Sequence, residues 1–326
     1  MSKNNDSQVF QELALKWLKE FQTKGYSPET IRNRKTNIHL FINWCEQRDI
    51  FYITDVSKST LESYQRYITS APLGREGDPL LPLSILTRLR AVKLFFKWVI
   101  EQRYLLYNPA LEWELPKEPG LKIKEVLSIQ EVEAMLSTCN LKTDVGVRDR
   151  AIMETLYSTG IRKKELIHLK PEDINFDEGT LKVAEGKGNK QRLVPIGERA
   201  LAWIKKYQTT GLEKITLNKV HSPYLFLTIT GKPLNHVNEV IGNYKKKVGI
   251  KKKGLSHLFR HTMATLMLKN GADIRIIQQI LGHSHLQTTQ RYTHLCIDHL
   301  KKVHTKTHPA KHPNHPTQTK DKEEKP

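Results

Sequence analysis

The sequence contains few cysteines, few acidic residues and no long apolar runs. Its three cysteines, Cys45, Cys139 and Cys296, are scattered and lack the paired spacing of a zinc site. We therefore expect reduced thiols, with no disulfide and no metal ion. No apolar run approaches the length of a membrane-spanning helix, and the first residues are polar rather than signal-like. These absences predict a cytoplasmic protein without a membrane segment.

The shortage of acidic residues leaves the chain strongly basic. Lys and Arg number 53 against 34 Asp and Glu in 326 residues, a net charge of +19. Residues 1–118 hold 17 basic and 14 acidic side chains, which leaves 36 and 20 in residues 119–326. A polyanionic partner, most simply nucleic acid, is expected to bind mainly to the C-terminal part. Charge alone leaves open an anionic membrane surface or a merely basic soluble protein.

The first hundred residues have the apolar periodicity of amphipathic helices. Ser27 is expected to cap the second of these helices, with Pro28 at its first position. Basic side chains on the outer faces could follow a DNA backbone or could simply be solvated. A small all-α domain is therefore predicted for residues 1–108. The predicted helices span 8–23, 28–47, 57–68 and 84–103, and the outward basic residues include Arg32, Arg34, Lys35, Arg88, Lys93 and Lys97.

Residues 109–122 are rich in proline and turn residues and are expected to link this domain to a second one at 123–304. In the second domain, helical segments alternate with two predicted strands, 180–184 and 191–196, joined by a turn. The remaining residues, 305–326, are rich in His, Pro and Lys and are expected to be disordered. Their prolines argue against a helical metal site. The fold class expected from these patterns is mainly α, with a small antiparallel sheet.

Six residues of the second domain are of the kinds needed to cleave a phosphodiester. Arginine forks can hold non-bridging phosphate oxygens, lysine or histidine can move protons, and tyrosine can attack phosphorus. Taken singly, each also fits an ordinary role, such as a helix-end arginine, a turn lysine, a structural histidine or a core tyrosine. The six are Arg162, Lys187, His257, Arg260, His283 and Tyr292.

The order Arg, Lys, His-x-x-Arg, His, Tyr resembles that of the tyrosine recombinases, the family of phage integrases and Xer proteins. The resemblance implies a helical N-terminal DNA-clamping domain of SAM-like fold. It also implies a mostly helical catalytic domain with a small antiparallel sheet. The matching stretches are 159–162, 186–190, 257–261, 281–283 and 292–294.

The resemblance also implies a role for each residue. Arg162 and Arg260 would hold the scissile phosphate, and Lys187 would protonate the departing 5′ oxygen. His257 would accept the tyrosine proton or hydrogen-bond the phosphate, and His283 would donate a second hydrogen bond. Tyr292 would form a 3′-phosphotyrosyl bond, with no cofactor and no metal. A nearby carboxylate, Glu165, lies on the helical face of Arg162 and could orient it or be solvated.

The implied activity is site-specific recombination of double-stranded DNA. The implied assembly is a homotetramer on two sites, weakly associated or monomeric off DNA, with accessory DNA-bending proteins as further partners. The loop at 71–83 and the His/Pro tail favour integration or excision of a mobile element, and Xer-type resolution of chromosome or plasmid dimers is the alternative. Two other classes remain: a type IB topoisomerase-like nickase-ligase, and a DNA-binding accessory protein without catalysis.

Overall fold

Eleven helices and one small sheet account for most of the chain that the structure describes. The computed structural model describes residues 9–74, 77–120, 125–183, 191–212 and 222–282. The chain divides into two compact units, Met1–Gly120 and Leu121–Pro326. The mainly α fold with a small antiparallel sheet is confirmed.

The N-terminal unit contains four helices, each begun by a local signal. Ser27 accepts a hydrogen bond from the Thr30 amide at 3.2 Å and Pro28 follows, as expected. Ser57 caps the third helix, and Thr54 before it lies in a 3-10 turn. The fourth helix begins earlier than predicted because Pro82 takes its first position. The helices are α1 Phe10–Thr23, α2 Pro28–Glu46, α3 Lys58–Ser70 and α4 Pro82–Glu101.

Aromatic rings fill much of the core of this unit. Phe41 is fully buried and meets the rings of Tyr64 and Phe96 edge-on, at centroid distances of 4.9 and 6.2 Å. Arg34, expected on an outer face, instead lays its guanidinium over the Phe21 ring at 3.8 Å. Leu15 of α1 is apolar but exposed. A helix buries one stripe of its surface, and Leu15 falls outside the stripe that holds Leu13 and Trp17.

The expected linker at 109–122 begins inside this core. Ala110 and Trp113 are buried, and Lys93 of α4 donates a hydrogen bond to the Trp113 carbonyl at 2.7 Å. Burying these two side chains removes a large apolar area from water. This burial stabilises an ordered segment even though the sequence there is rich in proline and turn residues. The domain boundaries taken from the sequence remain predictions.

In the C-terminal unit, the buried helix α6 (Asp144–Thr159) packs against several others. Thr143 caps it by accepting a hydrogen bond from the Gly146 amide at 3.1 Å, so α6 begins at Asp144. Ser128 and Glu131 form a capping box at the start of α5. The helices are α5 Ile129–Ser137, α6 Asp144–Thr159, α7 Lys163–Ile167, α8 Glu198–Tyr207, α9 Val237–Lys247, α10 Ser256–Lys269 and α11 Ile274–Leu281.

The sheet of this unit has three antiparallel strands in the order β1, β2, β3. Strands β2 (Thr180–Val183) and β3 (Arg192–Pro195) were predicted, and Leu181 pairs with Val194. Strand β1 (Ile174–Asn175) was not, because two residues carry no periodicity. A helical turn, Gln208–Leu212, directly follows α8. The predicted turn between β2 and β3 lies outside the described residues.

Part of the basic run at 245–253 is structural. The Lys245 ammonium group hydrogen-bonds the carbonyls of Lys252 and Gly254. The Lys252 ammonium group donates to the Val126 carbonyl and the Glu131 carboxylate. These contacts fasten the segment before α10 to the start of α5. Within the described ranges, no helix is both long and apolar enough to cross a membrane.

Candidate active site

The two predicted phosphate-binding arginines lie on different elements that meet at the end of α6. Gly160 ends that helix with a left-handed φ of 60°, and its carbonyl accepts a hydrogen bond from Arg260 Nη1 at 2.6 Å. A Cβ atom at Gly160 would lie 2.2 Å from the Met263 side chain and would strain the backbone. Arg162 follows two residues later, at the N-cap of α7. Glycine at position 160 therefore lets the chain turn from α6 into α7 directly over Arg260.

Glu165 orients Arg162. Its carboxylate accepts from Arg162 Nη1 and from the Arg162 backbone amide, both at 2.8 Å. The Glu165 side chain is only 2% exposed, whereas that of Arg162 is 25% exposed. The carboxylate is thus buried rather than solvated, and it holds the arginine from the protein side. Part of the Arg162 side chain remains exposed to solvent.

A third arginine, Arg192, joins this group although sequence analysis gave it no role. Its Nη1 and Nη2 donate to Glu165 Oε1 and Oε2 at 3.0 and 2.8 Å, a bidentate pair. Arg192 begins β3 and shares the inward face with buried Val194, while Leu193 between them is exposed. A basic residue at an inward position of a strand needs a partner. That alternation in the sequence was the signal that could have identified Arg192.

The carbonyls at the C-terminal end of α11 bring the three arginines together. The last carbonyls of a helix lack partners within it and carry the negative end of its dipole, so cationic donors stabilise them. Here three successive carbonyls each accept from a different arginine. The bonds join Arg192 Nε to Ile280 at 3.1 Å, Arg260 Nη2 to Leu281 at 2.6 Å and Arg162 Nη2 to Gly282 at 3.1 Å.

The group has an excess of positive charge. Among the described contacts the group contains three guanidinium groups and one carboxylate, a formal charge of +2, and the carboxylate is bound by Arg162 and Arg192. Burial raises the pKa of Glu165. Hydrogen bonds from the Arg192 side chain and the Arg162 amide, together with the charge of Arg192, lower it by more. The pKa of Glu165 therefore lies below its ordinary value. Glu165 therefore stays ionised at neutral pH. The remaining positive charge suits an anion such as a phosphodiester.

His257 lies three residues before Arg260 on α10, in the first turn of the helix. Its side chain is exposed, and its ring stacks on that of His261 with centroids 6.3 Å apart. His261, which had no predicted role, is buried. The spacing of three places His257 on the same side of α10 as Arg260. An exposed imidazole at this position can accept or donate a proton.

Three of the six predicted residues, Lys187, His283 and Tyr292, lie outside the described residues. Gly282, the last described residue, has a left-handed φ of 61°. A Cβ atom there would lie 2.9 Å from Arg192 Nε. The chain therefore leaves α11 through a glycine that both the backbone and the neighbouring arginine require.

Cys45 and Cys139 are free and buried, and Cys296 also falls outside the described residues.

Comparison with known proteins identifies the family. Residues 125–299 match the phage integrase family. The chain is 42% identical over 297 residues to tyrosine recombinase XerC 2 of Ralstonia nicotianae, covering 88% of this chain and 82% of the relative. It is 33% identical over 288 residues to tyrosine recombinase XerD of Staphylococcus saprophyticus, covering 88% and 94%.

Solved structures show the same fold. The XerH site-specific recombinase in a post-cleavage complex with palindromic difH substrate has a TM-score of 0.69 at 17% identity and covers 93% of this chain and 98% of its own. A lambda integrase tetramer bound to a Holliday junction has a TM-score of 0.65 at 18% identity, with coverages of 88% and 78%. The chain belongs to the phage integrase family and is a tyrosine-type site-specific recombinase, an enzyme that cleaves and rejoins DNA.

Proposed function

We propose that this chain exchanges strands between two copies of a specific duplex DNA site, with Tyr292 as nucleophile. The observation that supports this most is the convergence of Arg162 and Arg260 on neighbouring carbonyls at the end of α11. His283 is the next residue of the chain after Gly282, and Tyr292 lies nine residues beyond it. Two candidate phosphate ligands are thus held close to the segment that carries the candidate nucleophile.

The chemistry assigns one task to each residue. The Tyr292 oxygen attacks phosphorus, the new P–O bond forms and the bond to the 5′ oxygen breaks. His257 takes the tyrosine proton and Lys187 gives a proton to the departing 5′ oxygen. Attack by the tyrosine oxygen adds one negative charge to the phosphate centre, and Arg162 and Arg260, with a hydrogen bond from His283, stabilise that charge.

The phosphotyrosyl bond stores the energy of the broken phosphodiester. A 5′-hydroxyl from another strand attacks the same phosphorus and releases Tyr292, so new partners are joined without an added energy source. Exchange between two duplexes needs four active sites, and we propose a homotetramer on two recombination sites, weakly associated or monomeric off DNA. Accessory DNA-bending proteins are further candidate partners.

We propose resolution of chromosome or plasmid dimers as the biological role. This proposal is supported by the Xer names of the relatives that match most of the chain at 42% and 33% identity. The loop at 71–83 and the His/Pro-rich tail, which favoured integration or excision of a mobile element, are the argument for that alternative. The two roles use the same chemistry and differ in where the target site lies.

One experiment tests the nucleophile and locates the site. The purified chain is mixed with sheared DNA from its source and quenched with denaturant, and DNA ends covalently attached to protein are captured and sequenced. We expect ends clustered at one sequence, and none with Tyr292→Phe, which should still bind DNA. A site at a single chromosomal or plasmid locus supports dimer resolution, and sites at the boundaries of an inserted element support the alternative.

Other outcomes would replace the proposal. Adducts that persist at the wild-type level in Tyr292→Phe would exclude Tyr292 as nucleophile. Adducts scattered without a shared sequence, with relaxation of supercoiled DNA independent of protein concentration, would favour a topoisomerase-like nickase-ligase. DNA retention without any adduct would favour a binding protein that lacks the chemistry.

A further inference from the structure

Arg192 makes contacts that join three elements around Arg162. Its guanidinium binds both oxygens of Glu165, its Nε donates to the Ile280 carbonyl, and its side chain is only 13% exposed. It therefore connects β3, α7 and the end of α11. The guanidinium lies against Gly282 so closely that a Cβ atom there would be 3.0 Å from its central carbon.

Arg192 balances the negative charge of Glu165. A buried carboxylate beside Arg162 orients that arginine, but alone it would also cancel the charge that Arg162 presents to an anion. Arg192 supplies a second counter-charge from the protein side, and both carboxylate oxygens accept from its fork. Arg162 therefore keeps its orientation while the group retains a net positive charge.

We infer that Arg192 is a positioning residue for DNA strand cleavage, which acts through Glu165 and the α11 end to hold Arg162 in place and leave its charge available to the scissile phosphate. This inference rests on the proposed function, because it assumes that Arg162 contacts the phosphate. Arg192 itself is not expected to contact DNA, because its side chain is mostly buried and its guanidinium is bound to Glu165. Its bidentate hydrogen bonds go to Glu165, whose side chain is buried.

The test compares two substitutions of Arg192 on a synthetic duplex that carries the adduct-forming sequence. Arg192→Gln keeps hydrogen-bond donors but removes the charge and the fork. We expect adduct formation to slow about 10- to 100-fold at saturating protein, the range typical of a group that orients another. Binding to the duplex, measured by gel shift, should change less than about twofold. Arg192→Lys keeps the charge without the fork, and we expect an intermediate rate.

A double substitution separates positioning from simple structural support. In Arg192→Gln combined with Glu165→Gln, the carboxylate that would neutralise Arg162 is gone, while the amide oxygen at position 165 can still accept hydrogen bonds from Arg162. The charge of Arg162 is then again available. We expect this pair to form adducts at least about threefold faster than Arg192→Gln alone, since contacting residues couple. If Arg192 only supported the fold, a second substitution in the same cluster would give an equal or slower rate.

Arg199→Gln is the matched control. Arg199 also binds a buried carboxylate of the same unit, since its Nε donates to Glu154 at 2.9 Å, but it has no bond to Glu165 or to α11 among the described contacts. We expect its cleavage rate to stay within about twofold of wild type. An equal loss in Arg199→Gln would attribute the effect to the missing ion pair in general and overturn the inference.

The remaining outcomes distinguish the inference from the function on which it rests. Wild-type adducts with an unchanged rate in Arg192→Gln would overturn the role of Arg192 and leave the proposed function intact. No adduct with the wild type would overturn the proposed function and this inference together. If circular dichroism shows that neither Arg192→Gln nor Arg192→Lys folds, Arg192 is a structural residue and the inference is wrong.

Discussion

The N-terminal and C-terminal units bury different kinds of side chain. The first packs aromatic rings edge to face around Phe41 and Phe95, and its Arg34 lies over rings rather than beside a carboxylate. In the second, the core is mostly aliphatic and encloses charged groups. Among the described residues, the buried charged side chains all belong to the C-terminal unit, and they include Arg148, Asp149, Glu154, Glu165, Asp173 and Arg260.

This difference shows what each kind of interior can do. Apolar burial stabilises a fold without requiring one orientation of the buried group. Buried charges cost free energy to desolvate and persist only with matched partners, which fixes their geometry. The C-terminal unit therefore holds the orientation-dependent groups of the candidate active site, and the N-terminal unit is a packed scaffold.

The largest expected effect tests the packed interior. Phe41→Ala removes a fully buried ring from contact with the rings of Phe10, Tyr64 and Phe96. We expect the free energy of unfolding to fall by about 3–5 kcal/mol, measured by denaturant titration. Leu40→Ala, at an exposed neighbouring position, should cost less than about 1 kcal/mol. Equal losses at the two positions would show that the ring cluster does not dominate this unit.

The next effect tests the charged interior. Arg260→Ala removes donors to the Gly160 and Leu281 carbonyls and one candidate phosphate ligand. We expect the barrier to cleavage to rise by about 2.7–4 kcal/mol, as for the loss of one donor to a developing oxyanion, measured as the rate of adduct formation. Arg260→Lys, which keeps the charge, should be less affected. A loss below about tenfold in Arg260→Ala, with the fold intact by circular dichroism, would contradict the phosphate role.

The smallest expected effect is on stability at Arg34, whose guanidinium lies against the aromatic rings of the N-terminal unit. Arg34→Met keeps an apolar stem but removes the guanidinium from the face of Phe21. Arg34 Nη1 is buried and has no hydrogen-bond partner among the described residues, which offsets part of the cation–π attraction. We therefore expect a loss of about 0.5–1 kcal/mol in unfolding free energy. A gain in stability would mean that the unpaired donor costs more than the ring contacts contribute.

Local signals in the sequence were sufficient for most of the helices. Ser27 with Pro28, the Ser128 capping box and the glycines at 160 and 282 each act within one turn, so their effect is visible in neighbouring residues. Where longer-range packing decides, the sequence was insufficient. Trp113 lies in a stretch rich in proline and turn residues, but it is buried in the core of the N-terminal unit.

The sequence predicted residues of the candidate site but not the contacts between them. Arg162, His257 and Arg260 were identified because their order resembles that of a family. Arg192 was missed because its partners, Glu165 and Ile280, are 27 and 88 residues away along the chain. No local pattern encodes a contact at that separation, although an inward-facing arginine in a strand indicates that some partner exists.

The row of carbonyls at the end of α11 limits how the length of that helix can change. Adding or removing one residue would rotate the helix end by about 100° and shift it by about 1.5 Å, which moves all three carbonyls away from their arginines at once. Those arginines come from positions 162, 192 and 260, and each would need to adjust separately. Exposed positions such as Ile276 can vary in identity, but insertions and deletions should be confined to segments outside Ile274–Gly282.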